Sequence, residues 1–192
     1  MKILQICPLF PPCPKSLTSG VTNVVYGLSK ELVGKGHEVK VYTSAAIDSH
    51  RKIDCVNNPL SISGIEVHYF PYMASYYTFF ITPSIVGTLR KSTRDFDIIH
   101  LHDIRCFQSL ICHHYAKKYN IPYILHIHGS PPRIAGERRL KRLWDIAFGY
   151  RILRDASKVI AITKTEAEHL KNVGVSEDKV EIIPNGIDLS EF

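Results

Sequence analysis

Segments with the alternating pattern of β-strands and segments with helical periodicity follow one another along the whole chain. Residues 2–7, 37–44 and 158–163 have strand character, whereas residues 21–32 repeat apolar side chains at helical spacing. This alternation is typical of βαβ units, in which helices cover both faces of a parallel sheet. We therefore predict an α/β fold with a doubly wound, mainly parallel, Rossmann-like sheet of about seven strands.

The size and composition of the chain fit one large globular domain. Its 192 residues are 45% hydrophobic and 22% charged, which is ordinary for a soluble protein with a sizeable core. The apolar runs are far shorter than the roughly 18 residues of a membrane-spanning helix, so we expect a cytoplasmic protein. The formal net charge of +6 indicates an anionic partner, which charge alone leaves open among a phosphorylated ligand, an acidic membrane surface and nucleic acid.

The motifs of several common enzyme classes do not occur in the sequence. The loop before the first predicted helix reads Ser19-Gly-Val-Thr-Asn-Val and not Gly-x-Gly-x-x-Gly, which weighs against a nicotinamide or flavin dehydrogenase. No serine has the Gly-x-Ser-x-Gly context of a nucleophile elbow, which disfavours a hydrolase. The five cysteines include no Cys-x-x-Cys pair, so we expect buried free thiols, with a disulfide as the alternative.

Two predicted strands each carry a pair of histidines on one face. Residues 97–103 read Asp-Ile-Ile-His-Leu-His-Asp, and residues 123–130 read Tyr-Ile-Leu-His-Ile-His-Gly-Ser. Side chains two apart on a strand share a face, so each pair of imidazoles points one way. In open α/β sheets ligands bind at the carboxyl ends of the strands. This places His102 and His128 at the predicted site.

The four histidines differ in their expected roles. His100 and His126 lie in mid-strand, where a hydrogen-bonded core residue is the expectation. His102 and His128 lie at the rim, where exposed imidazoles can donate to phosphate or sugar oxygens. Asp103 either orients a ligand hydroxyl or caps the following helix. We predict no metal site, because no acidic partner follows these histidines in a recognisable spacing.

The start of the first helix is a candidate anion site. Ser19 and Gly20 precede Val21, so the unpaired amides of the helix N-terminus can point at a phosphate that Gly20 allows to approach closely. The alternative is that Thr18 or Ser19 caps the helix. Spacing alone does not decide between these interpretations.

A basic segment and an aromatic segment each have two interpretations. The basic segment is either a solvated helix face or a surface for anionic lipid. Its cations are Arg133, Arg138, Arg139, Lys141, Arg142, Arg151 and Arg154. The predicted helix over residues 137–155 also has apolar residues on one face, namely Leu140, Leu143, Trp144, Ala147 and Phe148. The aromatic segment, residues 72–80, either packs against the sheet or contacts a sugar or a lipid tail.

Five segments match, in order, the pattern of one enzyme family. They are Gly-Leu-Ser-Lys-Glu-Leu-Val-Gly-Lys-Gly-His-Glu-Val-Lys-Val at 27–41, Asp-Ile-Ile-His-Leu-His-Asp at 97–103, His-Ile-His-Gly at 126–129, Val-Ile-Ala-Ile-Thr-Lys at 159–164, and Ile-Pro-Asn-Gly-Ile-Asp at 183–188. With these segments the chain resembles, over nearly all of its length, the N-terminal domain of family 4 glycosyltransferases with the GT-B fold.

The resemblance implies a domain organisation. In a GT-B enzyme two Rossmann-like domains face each other across a cleft; the C-terminal one holds most of the nucleotide-sugar and the N-terminal one most of the acceptor. Residues 1–184 would then be the acceptor-side domain. Residues 185–192, with Asn185 and Gly186 as the hinge, would begin the interdomain linker. The C-terminal nucleotide-sugar domain would be absent from this chain, and we expect the isolated domain to be inactive.

The resemblance also implies roles for individual residues. His128 matches the catalytic histidine that contacts the donor sugar near the reacting carbon. Gly20 matches a loop glycine near the donor phosphates, and we assign Ser19, Val21 and Gly129 to the same donor site. His102 and Asp103 match a segment that lines the acceptor side. The first loop has Ser19-Gly20 where family members commonly have a pair of glycines.

The expected function is therefore transfer of a sugar from a nucleotide-sugar donor to a sugar or lipid-linked acceptor, with retention of configuration and without a metal or other cofactor. We expect a cytoplasmic protein, with peripheral contact to the inner membrane face as an option, and no nucleic-acid partner. Two alternatives stay open. One is a stand-alone sugar- or phosphate-binding module without catalysis, and the other is a GT-B nucleotide-sugar epimerase.

Overall fold

The computed structural model describes residues 1–10, 20–47, 52–53, 59–76, 79–129 and 138–186. Its strands are β1 (Lys2–Ile6), β2 (Glu38–Ser44), β3 (Leu60–Ile62), β4 (Ile65–Phe70), β5 (Ala74–Tyr76), β6 (Phe79–Ile81), β7 (Ile98–His102), β8 (Tyr123–His126), β9 (Lys158–Ala161) and β10 (Val180–Ile182). Its α-helices are α1 (Gly20–Gly34), α2 (Ser84–Ser92), α3 (Phe107–Tyr119), α4 (Arg138–Trp144), α5 (Tyr150–Asp155) and α6 (Lys164–Asn172).

Among the described residues, the main sheet has eight strands in the order β10-β9-β8-β7-β1-β2-β4-β3. All neighbouring pairs are parallel except β3 and β4, which are antiparallel. From β1 the chain winds in one direction through β2 and β4, and then returns to the other side of β1 to build β7, β8, β9 and β10. This confirms the predicted doubly wound, mainly parallel α/β fold, with one strand more than expected.

Alternate side chains of the central strands enter two separate hydrophobic cores. Leu4, Ile99 and Leu101 belong to one core, which includes residues of α2, α3, α5 and α6. Ile3 and Val41 belong to the other, which includes Val25 of α1. Because both faces of the sheet are covered, the side chains on both sides of β1 and β7 are buried. The central strands therefore form a rigid base for whatever their carboxyl ends carry.

Two segments contain strands that the sequence pattern did not show. Residues 45–64 were expected to form a loop, but β3 lies within them and pairs with β4 through a turn at Ser63 and Gly64. Residues 72–80, which have no clear periodicity, contribute β5 and β6 to a separate antiparallel pair. These strands have three residues each, which is too short for an alternating pattern to stand out.

The predicted helix over residues 137–155 is interrupted. α4 ends at Trp144, a π-helical turn covers Asp145–Gly149, and α5 continues to Asp155. A π-turn has more residues per turn than an α-helix, so it shifts the register of everything that follows it. Within the described residues, no helix combines the length and apolarity that crossing a membrane requires.

The expected apolar face of this helix does not enter the core. Leu140, Leu143 and Phe148 are exposed, and so is Ile146. The buried residues are instead Asp145 and Gly149 of the π-turn and Ile152 and Leu153 of α5. A helical wheel with a constant period could not find this arrangement.

We expect Gly64→Ala to destabilise the fold. Gly64 has φ +79°, and a Cβ placed there would lie 2.9 Å from Cγ1 of Val33. Backbone strain and the steric clash should together lower the free energy of unfolding by about 1–3 kcal/mol. Urea unfolding measures the change. Gly87→Ala is the matched control, because Gly87 lies in α2 with open space around it, and alanine there should stabilise by roughly 0.5–1 kcal/mol.

Candidate functional site

The strand order reverses between β1 and β7, and the predicted site segments follow the neighbouring strands β1, β7 and β8. His102 is the last residue of β7, His128 lies just beyond the end of β8, and Gly20 opens α1, the helix that follows β1. The carboxyl ends of these parallel strands share one edge of the sheet. In open α/β sheets, a ligand binds in the crevice at such a reversal.

His102 lies at the predicted edge, but it is fully buried, whereas an exposed imidazole was expected. Its Nε2 atom lies 2.7 Å from Oε1 of Gln5 on β1, and its Nδ1 atom lies 2.9 Å from Nε2 of His128. β1 and β7 are neighbouring strands, so a glutamine distant in sequence can reach this ring. His102 therefore connects the middle of the sheet to His128 and does not face solvent.

With the amide oxygen of Gln5 facing His102, the hydrogen bonds indicate which nitrogens of His102 and His128 carry a proton. An amide oxygen can only accept, so His102 donates from Nε2 to Gln5. Burial lowers the pKa of His102 well below 6.5, which keeps the ring neutral, and its Nδ1 atom must then accept the N–H of His128 Nε2. His128 is left with an unprotonated Nδ1 atom. That lone pair can accept a hydrogen bond from a ligand hydroxyl.

His128 is held in an unusual backbone conformation. His128 was expected at the end of its strand, but β8 ends two residues earlier, at His126. His128 has φ 47° and Gly129 has φ 81°, so two consecutive residues adopt left-handed conformations. For a residue with a side chain this conformation is strained, and such residues cluster at functional sites. The amide of Gly129 donates to the carboxylate of Glu166 and is therefore occupied in this structure.

The four histidine rings form a stack. The ring centroids of His100 and His102 are 4.1 Å apart, and those of His126 and His128 are 3.8 Å apart. Burial lowers the pKa of His100 and of His126 to about 3 and that of His128 to about 4, so the rings are neutral at physiological pH. His100 and His126 are buried as predicted, but the Nε2 atom of each has no hydrogen-bond partner among the described residues.

Three of these imidazoles are close enough together to be considered as metal ligands. One ring nitrogen each of His100, His102 and His126 lies within 4.8 Å of the other two. Metal ligation requires ring-plane lone pairs to converge on one point, whereas His100 and His102 stack with an angle of 27° between their planes. Both nitrogens of His102 are also hydrogen-bonded within the protein. In this structure the three rings are stacked close together, and His102 is the member whose two ring nitrogens both have partners within the protein.

Asp103 follows His102 with φ 78° and shapes the loop after β7. Its carboxylate Oδ1 accepts the backbone N–H of Arg105 at 3.0 Å, so it closes a local turn. The N-cap of α3 is Cys106, whose sulfur accepts the N–H of Ser109. Asp103 therefore does not cap the helix. It is partly exposed at the site edge, so its carboxylate can also face a ligand.

The remaining predicted site residues are placed as follows. Gly20 is exposed at the first position of α1, and Val21 is partly buried against the core beneath that helix. Ser19 lies outside the described residues. Asn185 and Gly186 are exposed and follow β10. Nothing in their surroundings tests the expected hinge.

Sequence reasoning missed three residues that support the site. Gln5 is a polar residue between the apolar residues Leu4 and Ile6 of β1, and that position was its only sequence signal. Glu166 follows Thr163 in a Thr-x-x-Glu capping pattern, but its contact with Gly129 has no local signal. Arg105 makes paired hydrogen bonds of 2.9 Å to both carboxylate oxygens of Asp145 in the π-turn.

A family model described as Glycosyltransferase Family 4 matches residues 18–191 of the chain. The chain belongs to glycosyltransferase family 4. The histidine strands, the turn at His128 and the reversal of strand order therefore lie within a family 4 domain, as the sequence resemblance implied. No match was found among curated protein sequences.

Solved structures share the fold of this family 4 domain. HepE from Anabaena, in a crystal structure with UDP-glucose, matches with a TM-score of 0.66 and 14% identity over 99% of this chain and 45% of the HepE chain. Sucrose-phosphate synthase from Thermosynechococcus elongatus matches with a TM-score of 0.66 and 16% identity over 100% of this chain and 49% of its own. The chain thus spans about half the length of these proteins.

A third structure belongs to a different enzyme class. UDP-GlcNAc 2-epimerase from Neisseria meningitidis, bound to UDP-GlcNAc, matches with a TM-score of 0.52 and 18% identity over 96% of this chain and 47% of the epimerase chain. At these identities the likeness shows the fold alone. Both transferases and an epimerase are therefore similar in architecture to the family 4 domain.

Proposed function

We propose that this chain is the acceptor-side half of a retaining glycosyltransferase that uses a nucleotide-sugar donor. The family match supports the transferase class. The observation that carries the proposal is His128, a neutral imidazole at the carboxyl edge of the sheet, with Nε2 engaged by His102 and Nδ1 left to accept from a sugar hydroxyl. HepE with UDP-glucose supports a UDP-sugar as the first donor to test.

The other site residues have proposed roles around His128. Gly20 and Val21 present the N-terminal amides of α1 toward the donor phosphates, and Ser19 lies next to them in the sequence. Gly129 contributes the space left by its missing side chain, while its amide stays on Glu166. His102 holds the ring of His128, and the carboxylate of Asp103 faces the acceptor. We assign the hinge to Asn185 and Gly186, and no metal or other cofactor to the reaction.

Transfer also requires stabilisation of the diphosphate that leaves the donor. Negative charge accumulates on that group in the transition state, and preorganised donors must meet it there. We place these donors on a second domain across the cleft, in keeping with the fact that this chain spans about half of HepE and of sucrose-phosphate synthase. The 192-residue chain alone is then expected to form no measurable product.

The test is His128→Ala in the complete protein, assayed with UDP-glucose and other UDP-sugars. Losing an oriented contact near the reacting carbon should lower kcat about tenfold to a hundredfold. His114→Ala is the matched control, because this histidine is exposed on α3, away from the carboxyl edge of the sheet. A His128→Ala variant as active as the control would contradict the proposal.

The likeness to an epimerase makes product analysis part of the same test. A transferase releases UDP when it transfers the sugar to an acceptor, or to water in place of the acceptor. An epimerase is instead expected to convert UDP-GlcNAc into an isomer without an acceptor. Chromatography of the nucleotide-sugar pool after incubation separates these outcomes. Appearance of an isomeric UDP-sugar in the absence of acceptor would favour the epimerase. Binding of a UDP-sugar without any turnover of the complete protein would favour the binding module.

We also propose that α4 and the π-turn contact anionic lipid, which suits a lipid-linked acceptor and a peripheral location on the inner membrane face. Leu140, Leu143 and Ile146 are more than half exposed. Arg139 and Arg142 are exposed on the same helix. Phe79 of β6 contacts Trp144 with ring centroids 5.0 Å apart, which places the β5–β6 hairpin next to α4. Met73 and Ile81 of this hairpin region are also exposed. Cations beside exposed aliphatics are typical of helices that lie in a membrane interface.

Co-sedimentation with vesicles tests the lipid contact. The chain should bind vesicles that contain about 30% anionic lipid more tightly than neutral vesicles, because each basic residue near the surface contributes about 1 kcal/mol. Leu143→Asp should reduce binding to the anionic vesicles. Ile183→Asp serves as the control, since Ile183 is a similarly exposed aliphatic residue after β10. Equal binding to both vesicle types would remove this proposal.

A further inference from the structure

A buried carboxylate on α6, the helix after β9, contacts the turn that carries His128. Glu166 lies in the first turn of α6, the helix that follows β9, and is 4% exposed. One of its carboxylate oxygens accepts the N–H of Gly129, and the other accepts the N–H of Ile162 at 2.5 Å. β8 and β9 are adjacent parallel strands. Glu166 therefore bridges the loops at the carboxyl ends of both strands.

This use of Glu166 departs from ordinary helix capping. Thr163 is the N-cap of α6, and its side chain accepts the N–H of Glu166 at 3.1 Å. In a capping box, the glutamate at this position returns the bond to the N–H of the N-cap residue itself. Here the carboxylate instead accepts the N–H of Ile162, the residue before the N-cap, and the N–H of Gly129 on another loop. A helix cap alone would not need the contact with Gly129.

The conformation of the turn depends on outside support. His128 and Gly129 both have positive φ, and such a conformation persists where surrounding contacts determine it. The ring of His128 is held by His102, and the backbone after it is held by Glu166. One contact holds the side chain of His128 and the other holds the backbone that follows it, so together they determine where its unprotonated Nδ1 atom points.

We propose that Glu166 is a positioning residue that holds the His128–Gly129 turn in its working conformation. This inference rests on the proposed function of His128. Both oxygens of the carboxylate accept from backbone N–H groups, so an amide side chain cannot replace it: glutamine has one acceptor oxygen and would direct an N–H₂ group at a backbone donor. The substitution keeps the size of the side chain and changes its hydrogen-bond pattern and its charge.

The first part of the experiment measures amide hydrogen exchange by NMR in the chain carrying Glu166→Gln, with Glu168→Gln as the control on an exposed position of the same helix. The Gly129 amide should exchange at least about tenfold faster than in the control, after correction for the change at the core amide of Leu125. Equal acceleration of both amides would mean that Glu166 only stabilises the whole fold, and it would overturn the proposal. An unchanged Gly129 amide would overturn it too.

The second part is a double-mutant cycle in the complete protein with a UDP-sugar. Glu166→Gln alone should lower kcat about tenfold to a hundredfold, because small displacements of a reacting geometry have effects of this size. In a His128→Ala background the same change should cost less than about threefold, since residues acting as a unit are not additive. If the two substitutions lower kcat independently, so that their effects multiply in the double variant, the proposal is overturned. If His128→Ala itself has no effect, the proposed function fails, while the exchange result still decides whether Glu166 holds the turn.

Discussion

Acidification from neutral pH to about pH 4.5 is expected to remove roughly 4–5 kcal/mol from the free energy of unfolding of this chain. The cause is the buried pair His100 and His126, whose pKa values fall from the ordinary 6.5 to about 3. Above pH 6.5 both the folded and the unfolded chain hold these rings neutral. Above pH 6.5 these two histidines therefore do not lower the free energy of unfolding.

The sign of the effect follows from proton uptake. As the pH falls below 6.5, the unfolded chain binds protons at these histidines, but the folded chain does not until the pH approaches 3. Each such group therefore lowers stability by up to about 1.4 kcal/mol per pH unit within that window. Such a loss is a large part of the roughly 5–15 kcal/mol that holds a typical domain together.

Urea unfolding at several pH values between 7 and 4.5 measures this slope. His100→Leu should leave stability at pH 7 nearly unchanged, because the Nε2 atom that it removes has no partner among the described residues, and it should make the slope shallower. Ile99→Val is the control: it should lower stability by about 0.5–1.5 kcal/mol at every pH without changing the slope. A His100→Leu variant with the slope of the original chain would contradict the assignment of the effect to the histidine stack.

Removal of the Asp145 carboxylate is expected to have the second large effect. Asp145→Ala should lower the free energy of unfolding by about 3–5 kcal/mol, because it removes the carboxylate that holds the Arg105 guanidinium through two hydrogen bonds in a largely buried position. The side chains of Asp145 and Arg105 are 3% and 13% exposed, and two parallel hydrogen bonds of 2.9 Å join them. This pair ties the loop after β7 to the π-turn.

Two further variants determine whether burial is the reason. Glu177→Ala removes the partner of Lys171 from an exposed ion pair, and it should cost no more than about 1 kcal/mol. Replacing Arg105 and Asp145 together with leucine should recover most of the loss, since both charges are then removed from the buried position. Urea unfolding at pH 7 compares all of these variants. Equal losses for Asp145→Ala and Glu177→Ala would show that the buried pair has no special weight.

Much of the architecture could be predicted because it depends on local periodicity. The alternation of strands and helices gave the doubly wound sheet, and the spacing of two between histidines placed each pair on one face. The same reasoning put His102 and His128 at the carboxyl edge. It could not show that His102 is buried, because Gln5 lies 97 residues away and reaches that ring only through the pairing of β1 with β7.

The missed features depend on geometry that the residue pattern does not record. The π-turn changes the helical register after Trp144, so the apolar positions before it and after it do not share one face. Leu140 and Leu143 consequently lie outside, while Ile152 and Leu153 lie inside. The contact of Glu166 with Gly129 requires the neighbouring positions of β8 and β9, which become visible only in the assembled sheet.

The main sheet ends on both sides in a strand of only three residues, β3 and β10. An outer strand that is long and flat offers its unpaired backbone groups as a template for another molecule, and natural proteins often shorten it to prevent this. At β10, Pro184 follows closely and has no N–H to offer, which limits pairing further. Lateral growth of this sheet into fibrous aggregates is therefore disfavoured by the strand lengths themselves, independently of any substrate that the domain binds.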